Sequence, residues 1–78
     1  MALWLDALVA EIRAEMVANV WKVVATEGDE VADGDTLVIL ESMKMEIPVL
    51  AESAGTIAAM HVSEGDVVQE GDVIAVIE

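Results

Sequence analysis

A nine-residue segment occurs twice in this chain, and that recurrence limits the possible folds more than any other feature. Glu27-Gly28-Asp29-Glu30-Val31-Ala32-Asp33-Gly34-Asp35 returns 37 residues later as Glu64-Gly65-Asp66-Val67-Val68-Gln69-Glu70-Gly71-Asp72. The correspondence runs without gaps from Thr26/Ser63 to Glu41/Glu78, so that Leu37 matches Ile74 and Ile39 matches Val76. Two copies are too few for a solenoid, which needs at least about three repeats to bury its faces. A single domain of two pseudo-symmetric halves is the alternative. Each half supplies roughly four strands, and neither could bury its apolar face alone.

The runs between the turns read as strands. Leu37-Val38-Ile39-Leu40 is short, continuous and rich in β-branched residues, bounded by Gly34-Asp35 before and Glu41-Ser42 after. Val17, Val20, Val23 and Val24 around Trp21 repeat the theme, as do Val49 to Ala51, Ile57 to Val62 and Val73 to Ile77. Gly28, Gly34, Gly55, Gly65 and Gly71 fall between these runs beside acidic or small polar residues, as turns require. The spacing predicts an all-β small sandwich or flattened barrel. Pro48 has no N–H for a ladder, so its segment belongs at an edge or carries a bulge. With 56% hydrophobic residues the chain is no disordered acidic tail, and with 3% aromatics its core must use Val, Ile, Leu, Ala and Met.

Residues 5–12 carry another pattern. Leu5, Leu8, Val9 and Ile12 share one face of a helix, with Asp6 and Glu11 turned away from it. A helix this short needs a surface to dock on. Residues 1–9 are therefore expected to be an N-terminal extension, a frayed leader or a docking helix, ahead of a domain over residues 10–78.

Charge and cysteine content narrow the partners. Sixteen acidic residues against three basic ones give a formal net charge of −13. Nucleic acid and anionic membranes are poor partners for such a chain, because phosphate contacts need Lys and Arg. The apolar runs fall short of the ~20 residues that span a bilayer, and no basic region opens the N-terminus as in a secretory signal. Zero Cys removes disulfides, thiolate zinc sites and thiol nucleophiles together, and fits a reducing compartment. A cytoplasmic location is the expectation.

After Glu41 the halves differ. The first continues into Ser42-Met43-Lys44-Met45-Glu46-Ile47, where a strand ends, turns tightly and returns. The turn lacks the Gly, Asn or Asp that hairpin stereochemistry selects. Exposed Met43 and Met45 beside Lys44 gain little for folding, and such a conflict between local preference and position is expected at a functional site. Met is flexible and polarisable and suits adaptable recognition. A lysine at a turn is ordinarily a solvated charge. Here it occupies the unpaired centre of a pseudo-symmetric molecule, in a chain with only two lysines. An amine held out between two such side chains is a substrate for a modifying enzyme. The inventory for catalysis is thin: His61, the single His, reads as a strand residue matching Val24, and no Gly-rich phosphate loop is present. Calcium at Asp29, Asp33 and Asp35 lacks the EF-hand spacing, and the repeat explains these residues as turn formers.

Glu41-Ser42-Met43-Lys44-Met45-Glu46 resembles the attachment motif of biotinyl domains, the carrier modules of biotin-dependent carboxylases. Val49, Ala51, Gly55-Thr56-Ile57 and Glu64-Gly65-Asp66-Val67-Val68 fit the same pattern, which covers residues 10–78. The likeness is greatest to short, free-standing actinobacterial biotinylated proteins. Met16 and Asn19 stand where the family often has Pro and Gly, and no insertion between Trp21 and Gly28 provides the thumb of some bacterial carriers. The resemblance implies a flattened barrel of two four-stranded antiparallel sheets related by a quasi-twofold axis, with Lys44 at a hairpin tip. It implies a non-catalytic carrier. A biotin protein ligase makes biotinyl-AMP, and the Lys44 amine attacks its acyl carbon. The biotin arm then carries carboxyl groups from a biotin carboxylase to a carboxyltransferase, as for an acyl-CoA carboxylase. Met43 and Met45 flank the attachment point. Glu41 and Glu46 are read as ligase-facing charges, or as plain strand-end solubility charges, and neither a catalytic residue nor a metal is expected. A lipoyl-type carrier, which usually presents Asp-Lys-Ala at the tip, and an acidic protein-interaction module are the alternatives.

Overall fold

The computed structural model describes residues 10–78, which form eight strands. These are β1 (Ala10–Arg13), β2 (Ala18–Val23), β3 (Glu30–Val31), β4 (Thr36–Ser42), β5 (Met45–Leu50), β6 (Gly55–Met60), β7 (Val67–Val68) and β8 (Val73–Ile77). They make two antiparallel four-stranded sheets, ordered β1-β8-β6-β3 and β5-β4-β2-β7. This is the two-sheet, two-half architecture that the repeat and the family resemblance imply.

The symmetry extends further than the sequence repeat. Ala10↔Ile77, Ile12↔Ala75 and Arg13↔Val73 in the β1–β8 ladder correspond to Ile47↔Leu40, Val49↔Val38 and Leu50↔Thr36 in the β5–β4 ladder. Both ladders carry a bulge at the same place. The turns of each half are tied to strands of the other, or to the residue that follows one. Gly28 N donates to Ile57 O and Gly65 N to Val20 O, both at 2.9 Å. Gly34 N donates to Ala51 O at 2.8 Å, and Gly71 N to Ala14 O at 2.9 Å. Neither half completes its own hydrogen bonding, so they fold as one unit.

Between the sheets the core contains Ile12, Val20, Leu37, Val38, Leu40, Ile57, Ile74, Ala75 and Ile77, each at most 3% exposed. No polar or charged side chain among the described residues is buried. Methionine, expected in this core, is not fully buried at any described position. Met60 packs against its edge, while Met16, Met43 and Met45 are exposed. Branched residues with few rotamers fill a thin two-sheet interior at less entropic cost than Met.

Three other expectations change. Ile12 is in strand β1, not on a helical face: it pairs with Ala75 and alternates in burial with exposed Glu11 and Arg13. Its ladder with β8 outweighs a short local helix. The rest of that pattern, at Leu5, Leu8 and Val9, lies outside the described residues. His61 is one residue past the end of β6 and exposed, not within a strand. Gly55 opens β6 instead of forming a turn, and glycine is needed there because a Cβ would lie 2.5 Å from the Glu78 carbonyl oxygen. Pro48 is on edge strand β5, as its missing N–H demands.

The hairpin tip and the outer strand ends are at opposite poles. β2 starts beside Glu41, near the tip, and runs away from it to Val23. The turn that follows bonds to Ile57, whose neighbour Thr56 exchanges hydrogen bonds with Glu78.

Candidate functional site: the β4–β5 hairpin tip

Ser42 pairs with Met45, leaving Met43 and Lys44 as a two-residue turn. Their φ angles are +54° and +66°. A two-residue hairpin joining right-twisted strands favours positive φ at both central residues, which is why Asn-Gly and similar pairs usually stand there. For residues with a Cβ, left-handed backbone costs roughly 1–2 kcal/mol each. The expected mismatch between residue type and position is therefore present as backbone strain at both residues.

Packing gives no return for it. Met43 is 92% exposed and Met45 64%, and Lys44 is also exposed. Among the described residues the ion pair is Arg13–Glu11, and Lys44 has no carboxylate within ion-pair distance. The amine is thus held in solvent at the end of a well-paired ladder.

Glu41 and Glu46 face each other directly across that ladder, one pair below Ser42↔Met45, and both are exposed. Like charges in directly opposed positions are destabilising. The structure brings all five sequence-selected residues into one hairpin end. It also accounts for two of the candidate calcium ligands. Asp29 Oδ2 accepts from Thr26 N at 3.0 Å and Asp35 Oδ2 from Ala32 N at 2.8 Å, capping turns. Their mates Asp66 and Asp72 do the same for Ser63 N and Gln69 N, each at 2.9 Å.

The sequence did not single out a further feature of this sheet. Its outer face carries Trp21, half exposed on a bulge between Val20 and Lys22. Alternation with buried Ala18 and Val20 turns Trp21 outward, and the bulge leaves its neighbour Lys22 exposed beside it.

Comparison with known proteins identifies the family and the fold. Residues 9–77 match the family model described as "Biotin-requiring enzyme". The chain is 59% identical over 67 residues to the "Biotinylated protein TB7.3 homolog" of Mycobacterium leprae, covering 86% of this chain and 94% of that one. It is 46% identical over 50 residues to the "Biotin carboxyl carrier protein" of Streptococcus mutans, covering 64% and 38%. Among solved structures, the urea carboxylase of Kluyveromyces lactis superposes with a TM-score of 0.84 at 37% identity, over 90% of this chain and 6% of that enzyme. A single-chain, multi-domain long-chain acyl-CoA carboxylase gives 0.82 at 35% identity, over 88% and 7%.

Proposed function

The chain belongs to the family of biotin-requiring enzymes, and we propose that Lys44 is the residue through which it carries biotin. Within that family it is a carrier and not a catalyst. The observation that supports Lys44 most strongly is the strained two-residue turn, which holds a solvent-exposed, unpaired amine at the far end of the β4–β5 ladder. An amine so placed fits a long covalent arm, which needs an attachment point clear of the body and no pocket around it.

Lys44 Nζ attacks the acyl carbon of the biotinyl adenylate made by a biotin protein ligase. The N–C amide bond forms, AMP leaves, and the amine proton passes to the ligase. No side chain of the hairpin is placed to take that proton, so the ligase supplies the base. Met43 and Met45 offer the ligase flexible apolar contacts. Glu41 and Glu46 turn an uncompensated pair of charges toward it, which is the reading their directly opposed positions favour. The modified chain loses its tip cation and becomes one unit more negative.

Biotin, when bound, supplies a ring nitrogen that takes up and releases a carboxyl group. The barrel keeps the attachment point rigid, so the arm samples a restricted volume at an effective concentration on the order of mM. The partners we propose are a biotin carboxylase and a carboxyltransferase, with an acyl-CoA as the acceptor. We place this work in the cytoplasm. Incubation with ligase, biotin and ATP should add the mass of biotin at Lys44. Addition elsewhere, or of lipoate instead when both acids and their ligases are supplied, defeats the reading.

A further inference from the structure

The pseudo-twofold axis provides an internal control for surface chemistry, because each outward position on one sheet has a mate built on the same backbone in the other. On the outer face of the Lys44-bearing sheet the register sets Lys22 beside Ile39 and Ile39 beside Pro48. Asn19 lies between Glu41 and Val67. Trp21, Leu50 and Val67 are 50%, 44% and 63% exposed. Their mates on the other sheet are Ala58, Arg13 and Glu30, and the mate of Pro48 is Glu11. Glu11 and Arg13 are joined there by an ion pair at 2.6 Å. One backbone thus tolerates small or charged residues at these positions, and folding does not call for the apolar set. Exposed apolar surface grouped on one face marks an interaction site.

We propose that the outer face of the β5-β4-β2-β7 sheet, centred on Trp21 with Pro48, Leu50 and Val67, is the docking surface for the biotin protein ligase. The proposal rests on Lys44 being the acceptor. Two strands of this face, β4 and β5, carry the turn itself, so an enzyme seated here reaches Nζ along the same ladder. A two-residue tip is far too small to hold a specific complex, which buries about 800 Å² per partner. A half-exposed Trp on a face that also carries Pro48, Leu50 and Val67 has the character of an interface anchor. Glu41 and Glu46 stand between Pro48 and the tip, in the row that Asn19 and Val67 continue. They call for a partner whose apolar patch is bordered by Lys or Arg. A second copy of this chain, also at −13, is the occupant that charge disfavours.

Kinetics of biotin transfer to the full chain by its purified ligase test the assignment. Trp21→Ala with Val67→Ser leaves the net charge unchanged, and Ala58 shows that the bulge accepts alanine. This double variant should raise the ligase's KM for the chain about tenfold with kcat kept, the equivalent of losing about 1.4 kcal/mol of contact. Ala58→Glu with Glu30→Gln, on the opposite sheet and also charge-neutral, should leave KM unaltered. The non-acceptor Lys44→Arg should inhibit labelling of the unaltered chain competitively, and about tenfold more weakly once Trp21→Ala and Val67→Ser are added. Equal KM for the two double variants overturns the docking face and leaves Lys44 standing as acceptor. A face occupied by a second copy, seen as concentration-dependent mass lost in the Trp21 variant, or by residues 1–9, seen as a lower KM on their deletion, also overturns it. No biotin on the unaltered chain overturns both this inference and the reading beneath it.

Discussion

Five turns among the described residues hold backbone at positive φ, and they do so in two ways. In four of them Gly28, Gly34, Gly65 and Gly71 adopt φ of 91–93°, while Asp29, Asp35, Asp66 and Asp72 cap a backbone N–H three residues earlier. Glycine takes that conformation without steric cost and the carboxylate satisfies a donor. The fifth, Met43-Lys44, has neither glycine nor cap. One molecule therefore contains both the relaxed solution to a tight turn and a strained one. The strained one is confined to the end where the halves stop matching in chemistry. The lesson is that the hairpin residues answer to a requirement other than folding.

Breaking that contrast starts with the amine. Lys44→Arg should abolish biotin labelling while leaving the unfolding midpoint in place, since an exposed cation is kept; streptavidin blotting and a urea melt check both halves of the statement. Adding strain to a relaxed turn comes next. At Gly34 a Cβ meets open space but the +93° backbone is wrong for it, so Gly34→Ala should lower stability by about 1–2 kcal/mol. The opposite change at the strained turn should act in the opposite direction. Lys44→Gly is expected to raise stability by about 1 kcal/mol in the same urea assay while removing the acceptor. Removing one cap, Asp35→Ala, should cost about 1 kcal/mol. Smallest is Glu46→Gln, which relieves the facing Glu41 charge. It should stabilise by about 0.2–1 kcal/mol at low salt, and the gain should shrink as ionic strength rises.

The half-to-half repeat was readable because turns with special stereochemistry leave few residue choices. Asp-capped glycine turns kept their letters in both copies. The equivalence of β1 with β5 and of β2 with β6 was not readable, because strand positions only require suitable size and burial. Ile12 and Val49 share an environment without sharing a motif. Ile12 also fitted a helical face, and only its partner Ala75, 63 residues away, decides for a strand. The site was readable for the reverse reason. Met43 and Lys44 sit where the local rule calls for other residues, so their unsuitability was itself the signal. Trp21 gave no such signal, since an aromatic on the outward side of an alternating strand breaks no local rule.

The poles of the barrel have one more consequence. β8 ends at the pole away from Lys44, so a segment joined after Glu78 starts at the far end from the modified tip. Another module, or a bead, can be attached there with the working end still pointing outward. That portability suits a fold found again within a urea carboxylase of which this chain matches only 6%.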